Sequence, residues 1–342
     1  MIVLKRGNSP LILCLPHSGT EVPPAIGGRL SATGRLQMDI SWHLDQVLDI
    51  ADLLDATIIA TTISRYVVDV DHDPRMRKPE EEDYARALCP LTTLDGKRLY
   101  KAGEEPGPTE IDQRVLLFHD PYHAAVRQQI DRIRRLNKTV LLFDCQSRRS
   151  KPGPVPGVML PIINIGTHDN TSCHPDLRNT FAGSFTGLTG FNVSTDDGVK
   201  GRYISQTYGI PESQIHTLTL VIAQRSYLRH ETPPFEPDKA RMARLRAVLL
   251  EGFTRTLDWA GWSGTPQLRN LVQSARATGE LMTVERQNST DSVGDGGQAS
   301  TPAGKPVQLQ TTQQHATAVT AAERKLVRPI IPDNFLEADV AE

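Results

Sequence analysis

Three polar segments of this chain carry side chains able to bind a metal or move a proton. The first is Leu15-Pro16-His17-Ser18-Gly19-Thr20, where an apolar run stops at a tight turn and leaves His17 at its lip. The second runs from Ser64 to Pro74. A strand period of two puts Asp69 and Asp71 on one face there, with His72 and Asp73 at the end. The third is Asp144-Cys145-Gln146-Ser147-Arg148-Arg149-Ser150, directly after the apolar run 140–143. Catalytic zinc takes three protein ligands and keeps one position open for water. A carboxylate beside it then serves as general base. His17 with Asp39, Asp71 or His72 supplies the residue types for such a site. Ser-His-Asp chemistry has less support, because no G-x-S-x-G is present. Neither G-x-G-x-x-G nor a P-loop occurs, so nucleotide binding has little support. Taken singly, each of these residues is more often hydrogen-bonded scaffold than ligand. The site therefore depends on whether the fold gathers them.

Apolar runs at 11–15, 57–61, 66–70, 140–143, 162–165 and 218–222 read as strands. Residues 41–54, 121–136 and 239–259 carry apolar side chains at helical spacing. Strands alternating with helices predict an α/β fold, with a mainly parallel or mixed sheet covered by helices on both faces. An open sheet of this kind gathers its polar strand ends at one edge. Residues from about 74 to 120 break the rhythm. They are rich in Pro, Gly and charge, as either a functional loop or a surface insertion would be.

The 342 residues carry a net charge of −2, so no basic face advertises nucleic acid. No apolar run reaches membrane-spanning length. The segment Met1 to Arg6 lacks the apolar region of a secretory signal, so a cytoplasmic address is expected. Cys14, Cys89, Cys145 and Cys173 are far apart and read as buried free thiols. After residue 264 the composition shifts. Residues 288–318 are mostly Gln, Thr, Ser, Gly and Ala, which cannot bury enough surface to offset ordering entropy. The expected division is a domain over 1–264 and a low-complexity, mostly disordered extension over 265–342. The extension ends in a short apolar island at 326–336 that could dock on a protein partner.

A longer ordered set of motifs is also present. It comprises Leu15-Pro16-His17-Ser18-Gly19-Thr20, Asp39 before Trp42-His43-Leu44-Asp45, and Ser64-Arg65-Tyr66-Val67-Val68-Asp69. It continues with Leu88-Cys89-Pro90, Pro121-Tyr122-His123, Asp144-Cys145-x-Ser147, Asn164-Ile165-Gly166-Thr167, Lys200-Gly201-x-Tyr203-Ile204 and Ala223-Gln224. In this set the chain resembles the N-formylglutamate amidohydrolase (deformylase) family, from about Lys5 to Leu228. The resemblance implies a fold similar to zinc carboxypeptidases and aspartoacylases. It implies zinc-assisted hydrolysis of N-formyl-L-glutamate to formate and glutamate, with zinc as cofactor and a small acidic N-acyl amino acid as ligand. It points to His17 and Asp39 at the metal. It points to Arg65, Asp69, Asp71, Arg149, Asn164 and Tyr203 around the substrate, with arginines gripping its carboxylates.

The chain departs from the family pattern where the chemistry lies. Gln146 stands where the family usually has histidine, Ser41 where it has aspartate, and Val221 where it has glutamate. Asp71 and His72 stand where relatives usually carry Asn and Arg, and Gln206 replaces an arginine. A neutral amide is a poor zinc ligand beside imidazole. Valine cannot take a proton, and loss of a general base slows a reaction by roughly 10²–10⁴-fold. Two outcomes are expected: an amidohydrolase of weakened or altered activity, or a non-catalytic relative that binds a small acid or a protein partner.

Overall fold

The computed structural model describes residues 1–76, 83–151, 159–262 and 264. The expectation of a disordered tail over 265–342 lies outside the described residues, as does the island at 326–336. Seven strands form one mixed sheet among the described residues: β1 (Ile2–Lys5), β2 (Leu11–Leu15), β3 (Thr57–Thr61), β4 (Val140–Arg148), β5 (Ile163–Gly166), β6 (Val193–Thr195) and β7 (Ile215–Ala223), in the order β1-β3-β2-β4-β7-β5-β6. The centre β3-β2-β4-β7 is parallel. β1 runs antiparallel to β3, and β5 antiparallel to β7. The main helices are α1 (Pro108–Arg114), α2 (Asp120–Leu136), α3 (Pro175–Gly183), α4 (Tyr203–Tyr208) and α5 (Lys239–Trp259). This is the expected α/β architecture. No helix among the described residues is long and apolar enough to cross a membrane.

The strand period divides the core in two. Leu11, Leu13 and Leu15 of β2, with Leu141, Phe143 and Cys145 of β4, share one cluster with Phe181 of α3 and Leu245, Leu249 and Phe253 of α5. Phe143 lies 4.9 Å from Phe181 and 5.1 Å from Phe253, ring centre to ring centre. Ile12 and Cys14, with Val140 and Leu142, share the opposite cluster with Tyr122, Val126, Ile130 and Ile133 of α2. The same alternation puts Asp144, Gln146 and Arg148 on the α2 face, at the C-terminal end of β4. The polar edge of the sheet is therefore the second half of its central strand.

Three expectations are corrected. Residues 66–70 form turns rather than a strand, and every one of them is buried. The Asp69 carboxylate accepts the Asp71 N–H at 3.0 Å, and the Asp69 carbonyl accepts the His72 N–H at 3.1 Å. A side chain that captures its neighbour's amide competes with a strand ladder. The expected face shared by Asp69 and Asp71 is thus replaced by a turn that brings both acids to the same place. Residues 41–54 give a short helix, Leu44–Val47, followed by a 3₁₀ stretch, Leu48–Asp52, instead of one helix. The run 140–143 extends to a nine-residue strand, so Asp144 and Gln146 lie within it.

Gly166 at the end of β5 sets the approach of the next loop. A Cβ there would meet the Gly201 nitrogen at 2.5 Å and the Lys200 carbonyl carbon at 2.6 Å. Only glycine lets the 200–202 turn lie this close. That contact brings Arg202 toward the edge of β4.

The aromatic packing between α5 and the sheet carries a prediction. Phe253→Ala should lower unfolding free energy by about 3–5 kcal/mol in a denaturant titration. A loss under about 1 kcal/mol would mean that this ring does not hold α5 on the sheet.

Candidate functional site

The site grows from the second half of β4. The Gln146 side-chain Nε2 donates to Asp71 Oδ2 at 2.9 Å and to Asp144 Oδ2 at 2.8 Å. A primary amide has two N–H groups, so each carboxylate takes one. Gln146 Oε1 accepts from Arg148 Nη2 at 3.2 Å. Asp144 Oδ2 also accepts from Thr219 Oγ1 at 3.1 Å, and Thr219 pairs with Ser205 Oγ at 2.7 Å. Asp71 Oδ1 accepts the Ile204 N–H at 3.0 Å. Asp71 and Asp144 are fully buried. Burial, reinforced by repulsion from Asp71, pushes the Asp144 carboxyl well above the usual carboxylate range. Burial raises Asp71 as well, but Arg202 opposes it. Of the two, Asp144 is pushed up further. Its Oδ1 is a buried oxygen with no hydrogen-bond partner.

Asp69 is the second hub. It accepts from His17 Nε2 at 2.6 Å, Arg65 Nη2 at 2.9 Å and Arg202 Nη1 at 3.4 Å. Burial alone would raise its pKa, but His17 and Arg65 outweigh that and hold it well below the carboxylate range. Burial lowers His17, and the charge of Asp69 only partly offsets it. A neutral His17 donating from Nε2 leaves Nδ1 as its acceptor.

Beside these hubs lies a cavity of about 220 Å³. Its walls include Asp71, Gln146, Arg86, Arg148, Lys200 and Arg202. Three of the four cations have acidic partners: Arg86 on Asp83, Lys200 on Asp169 and Arg202 on Asp69. Arg148 has no carboxylate partner among the described residues. Burial first, then repulsion from Arg65, Arg86 and Arg202, brings its pKa down to about 10. A guanidinium held this way favours an incoming anion.

The other expected site residues are divided. Asp39 accepts from Tyr66 Oη at 2.8 Å, the Leu94 N–H at 2.9 Å and Arg149 Nη2 at 2.9 Å. Arg149 also reaches Asp95 at 3.2 Å. This group ties the 91–99 segment to the strand end, and neither Asp39 nor Arg149 lines the cavity. Ser41 Oγ accepts the Ser147 N–H at 2.9 Å and donates to its carbonyl at 3.2 Å. Asn164 Nδ2 donates to the Pro161 carbonyl at 2.9 Å, and Asn164 Oδ1 accepts from Ser194 Oγ at 2.9 Å. Tyr203 packs on His119 and His123, with ring centres 5.5 and 5.0 Å away. Val221 is fully buried and pairs in register with Gln146 on one side and Asn164 on the other. Burial keeps His72 neutral, with Nδ1 on the Asp73 carbonyl at 3.0 Å.

Residue chemistry also tests the fit of a metal. His17 has the carboxylate partner on one ring nitrogen that orients many metal-binding histidines. Its Nδ1 is thus a chemically sound donor. Ser41 and Gln146 are engaged with backbone and with two carboxylates, and Asp39 is held by a phenol, an amide and a guanidinium. Among the described residues no three His, Cys, Asp or Glu side chains form a group that could hold a metal ion. The donor set does not fit the expected zinc. Sequence reading missed Arg86, which comes from the irregular stretch where no periodicity marks a role. Thr219 was passed over as part of an apolar strand.

The N-formylglutamate amidohydrolase family profile matches residues 9–228. The N-formylglutamate deformylase of Pseudomonas aeruginosa is 31% identical over 260 residues, covering 76% of this chain and 97% of that protein. The enzyme of the same name from Pseudomonas putida is 31% identical over 254 residues, covering 74% and 94%. A crystal structure of N-formylglutamate amidohydrolase from Ralstonia eutropha JMP134 superposes with a TM-score of 0.63 at 21% identity, covering 76% of this chain and 97% of that one. That last likeness speaks for the fold.

The buried acid pair makes stability depend on pH. The folded pKa of Asp144 lies above its unfolded value of about 3.9. Its contribution to stability is therefore complete below about pH 4 and is lost as pH rises through the folded pKa. Asp144→Asn removes that loss. Urea titrations should show the variant gaining stability relative to wild type from about pH 4 to about pH 8. A difference that stays constant over this range contradicts a protonated Asp144.

Proposed function

The chain belongs to the N-formylglutamate amidohydrolase family, and on that premise we propose that it hydrolyses the formyl amide of N-formyl-L-glutamate or a closely related N-acyl acidic amino acid. The products are formate and the free amino acid. The observation that carries this reading is the cavity walled by Arg86, Arg148, Lys200 and Arg202, with Arg148 lacking an acidic partner among the described residues. N-acylation removes the ammonium charge of glutamate and leaves two carboxylates. Such a ligand is a compact dianion, matched to a cationic wall by charge-assisted, bidentate hydrogen bonds. The neutral amide end then faces the remaining wall, formed by Asp71, Gln146 and Thr219.

The reading keeps the family reaction and changes the groups that perform it. Arg65 and Asp69 are both buried and joined to each other, and Asp69 is also joined to Arg202, which suits a role supporting the cavity wall. Relatives matched across the whole folded domain are named as deformylases, so a purely non-catalytic role is not favoured. A cytoplasmic address belongs to the same reading. It is supported by four buried cysteines, none of them in a disulfide.

The test is release of formate from N-formyl-L-glutamate, with N-formyl-L-glutamine and N-formyl-L-methionine as controls. N-formyl-L-glutamate should be preferred, because each control carries only one carboxylate. Arg148→Ala should raise KM for N-formyl-L-glutamate by about tenfold or more, with a smaller change in kcat. No formate release from N-formyl-L-glutamate, or equal turnover of all three compounds, would overturn the reading.

A further inference from the structure

We propose that His119 and His123 are positioning residues that set where Arg202 stands on the cavity wall. The consequence for the ligand rests on the function proposed above. Neither histidine lines the cavity, and both are almost fully buried. The motif Pro121-Tyr122-His123 stands out in the sequence, yet the cavity makes no direct use of it.

The wide π-helical turn Val115–His119 leads directly into α2, and His119 and His123 follow four residues apart. Such turns are uncommon and gather at functional sites. The two rings lie 4.4 Å apart, centre to centre. His123 Nε2 faces the Val70 carbonyl at 2.7 Å, and His119 Nε2 faces the His72 carbonyl at 3.0 Å. A carbonyl oxygen only accepts, so each Nε2 carries the hydrogen. Burial, then repulsion from His119, brings the His123 pKa down to about 3. Its Nδ1 is therefore unprotonated and accepts from Tyr208 Oη at 2.8 Å, which fixes the tautomer. The two bonds take the carbonyls on either side of Asp71. They clamp the turn 69–72, in which the Asp69 carboxylate and carbonyl hold the Asp71 and His72 amides.

Arg202 is held from both sides by this clamp. On one side Asp69, within the clamped turn, accepts from Arg202 Nη1 at 3.4 Å. On the other, Tyr203 is next in the chain and sets its ring 5.5 Å from His119 and 5.0 Å from His123. Asp71 adds a third tie by accepting the Ile204 N–H at 3.0 Å. Arg202 Nη2 donates to the Arg86 carbonyl at 2.9 Å. The Arg202 side chain is 28% exposed and Asp69 is fully buried, so of the two it is Arg202 that can meet a ligand. A guanidinium grips a carboxylate through two parallel N–H bonds, a geometry that tolerates little displacement. The preference for a second carboxylate is thus set in part by two imidazoles that never touch the ligand.

Glutamine places an N–H about where histidine carries its Nε2–H, and leucine has none. His123→Leu should raise KM for N-formyl-L-glutamate by about tenfold or more, with a smaller change in kcat, and should reduce the preference over N-formyl-L-glutamine. His123→Gln should recover most of both. A histidine that only fills space would lower the melting temperature and leave that preference unchanged. Hydrogen exchange read by mass spectrometry is a second arm that needs no turnover. Segments 69–72 and 202–205 should exchange faster in His123→Leu than in wild type, with His123→Gln close to wild type. If His123→Leu does not fold, His119→Leu and His119→Gln make the same comparison. A glutamine variant no closer to wild type than the leucine variant, in either arm, overturns the clamp. A wild type that releases no formate overturns the proposed function, and the exchange arm then decides the clamp alone.

Discussion

One side-chain amide holds two buried carboxylates side by side. Gln146 gives one N–H to Asp71 and the other to Asp144, at 2.9 and 2.8 Å. Two ionised carboxylates in so dry a place would repel strongly, and a single neutral amide cannot cancel two charges. Burial raises both carboxyls, Asp144 the further of the two, while Arg202 and the Ile204 N–H favour the charged form of Asp71. A neutral histidine at position 146 would offer one N–H where glutamine offers two. Glutamine at 146 and aspartate at 71 therefore explain each other. Together with Asp144 they form one hydrogen-bonded unit.

The rest of the site follows from charge balance around that unit. Asp69 stays ionised because His17, Arg65 and Arg202 converge on it. Arg65 and Arg202 are then accounted for, and Arg148 is left without a carboxylate partner among the described residues. Burial, with repulsion from Arg65, Arg86 and Arg202, weakens its hold on a proton. An anionic ligand offsets repulsion of this kind between neighbouring cations. The placement depends on the backbone: β4 supplies Asp144, Gln146 and Arg148 from one face, and Gly166 lets the 200–202 turn bring Arg202 across to them.

Much of the fold was legible in the sequence. The apolar runs at 11–15, 57–61 and 218–222 and the helix at 239–259 announced themselves through period and length. Residues 66–70 misled, because a continuous apolar run looks like a buried strand until Asp69 captures a neighbouring amide and turns the chain. The edge strands β1 and β6 are too short to show a period. Within the site, His17, Asp69, Asp71 and Gln146 stood out by type. Their partners did not, since hydrogen bonds spanning 52 or 75 residues leave no local pattern. Asp39 and Arg149 show the reverse case: they attract notice in the sequence, yet they anchor a loop.

The most direct measurement is a crystal structure of the protein soaked with N-formyl-L-glutamate. The account predicts carboxylates seated on Arg148 and Arg202, the formyl group against Asp71, and Gln146 still bridging Asp71 and Asp144. A ligand bound elsewhere would contradict it.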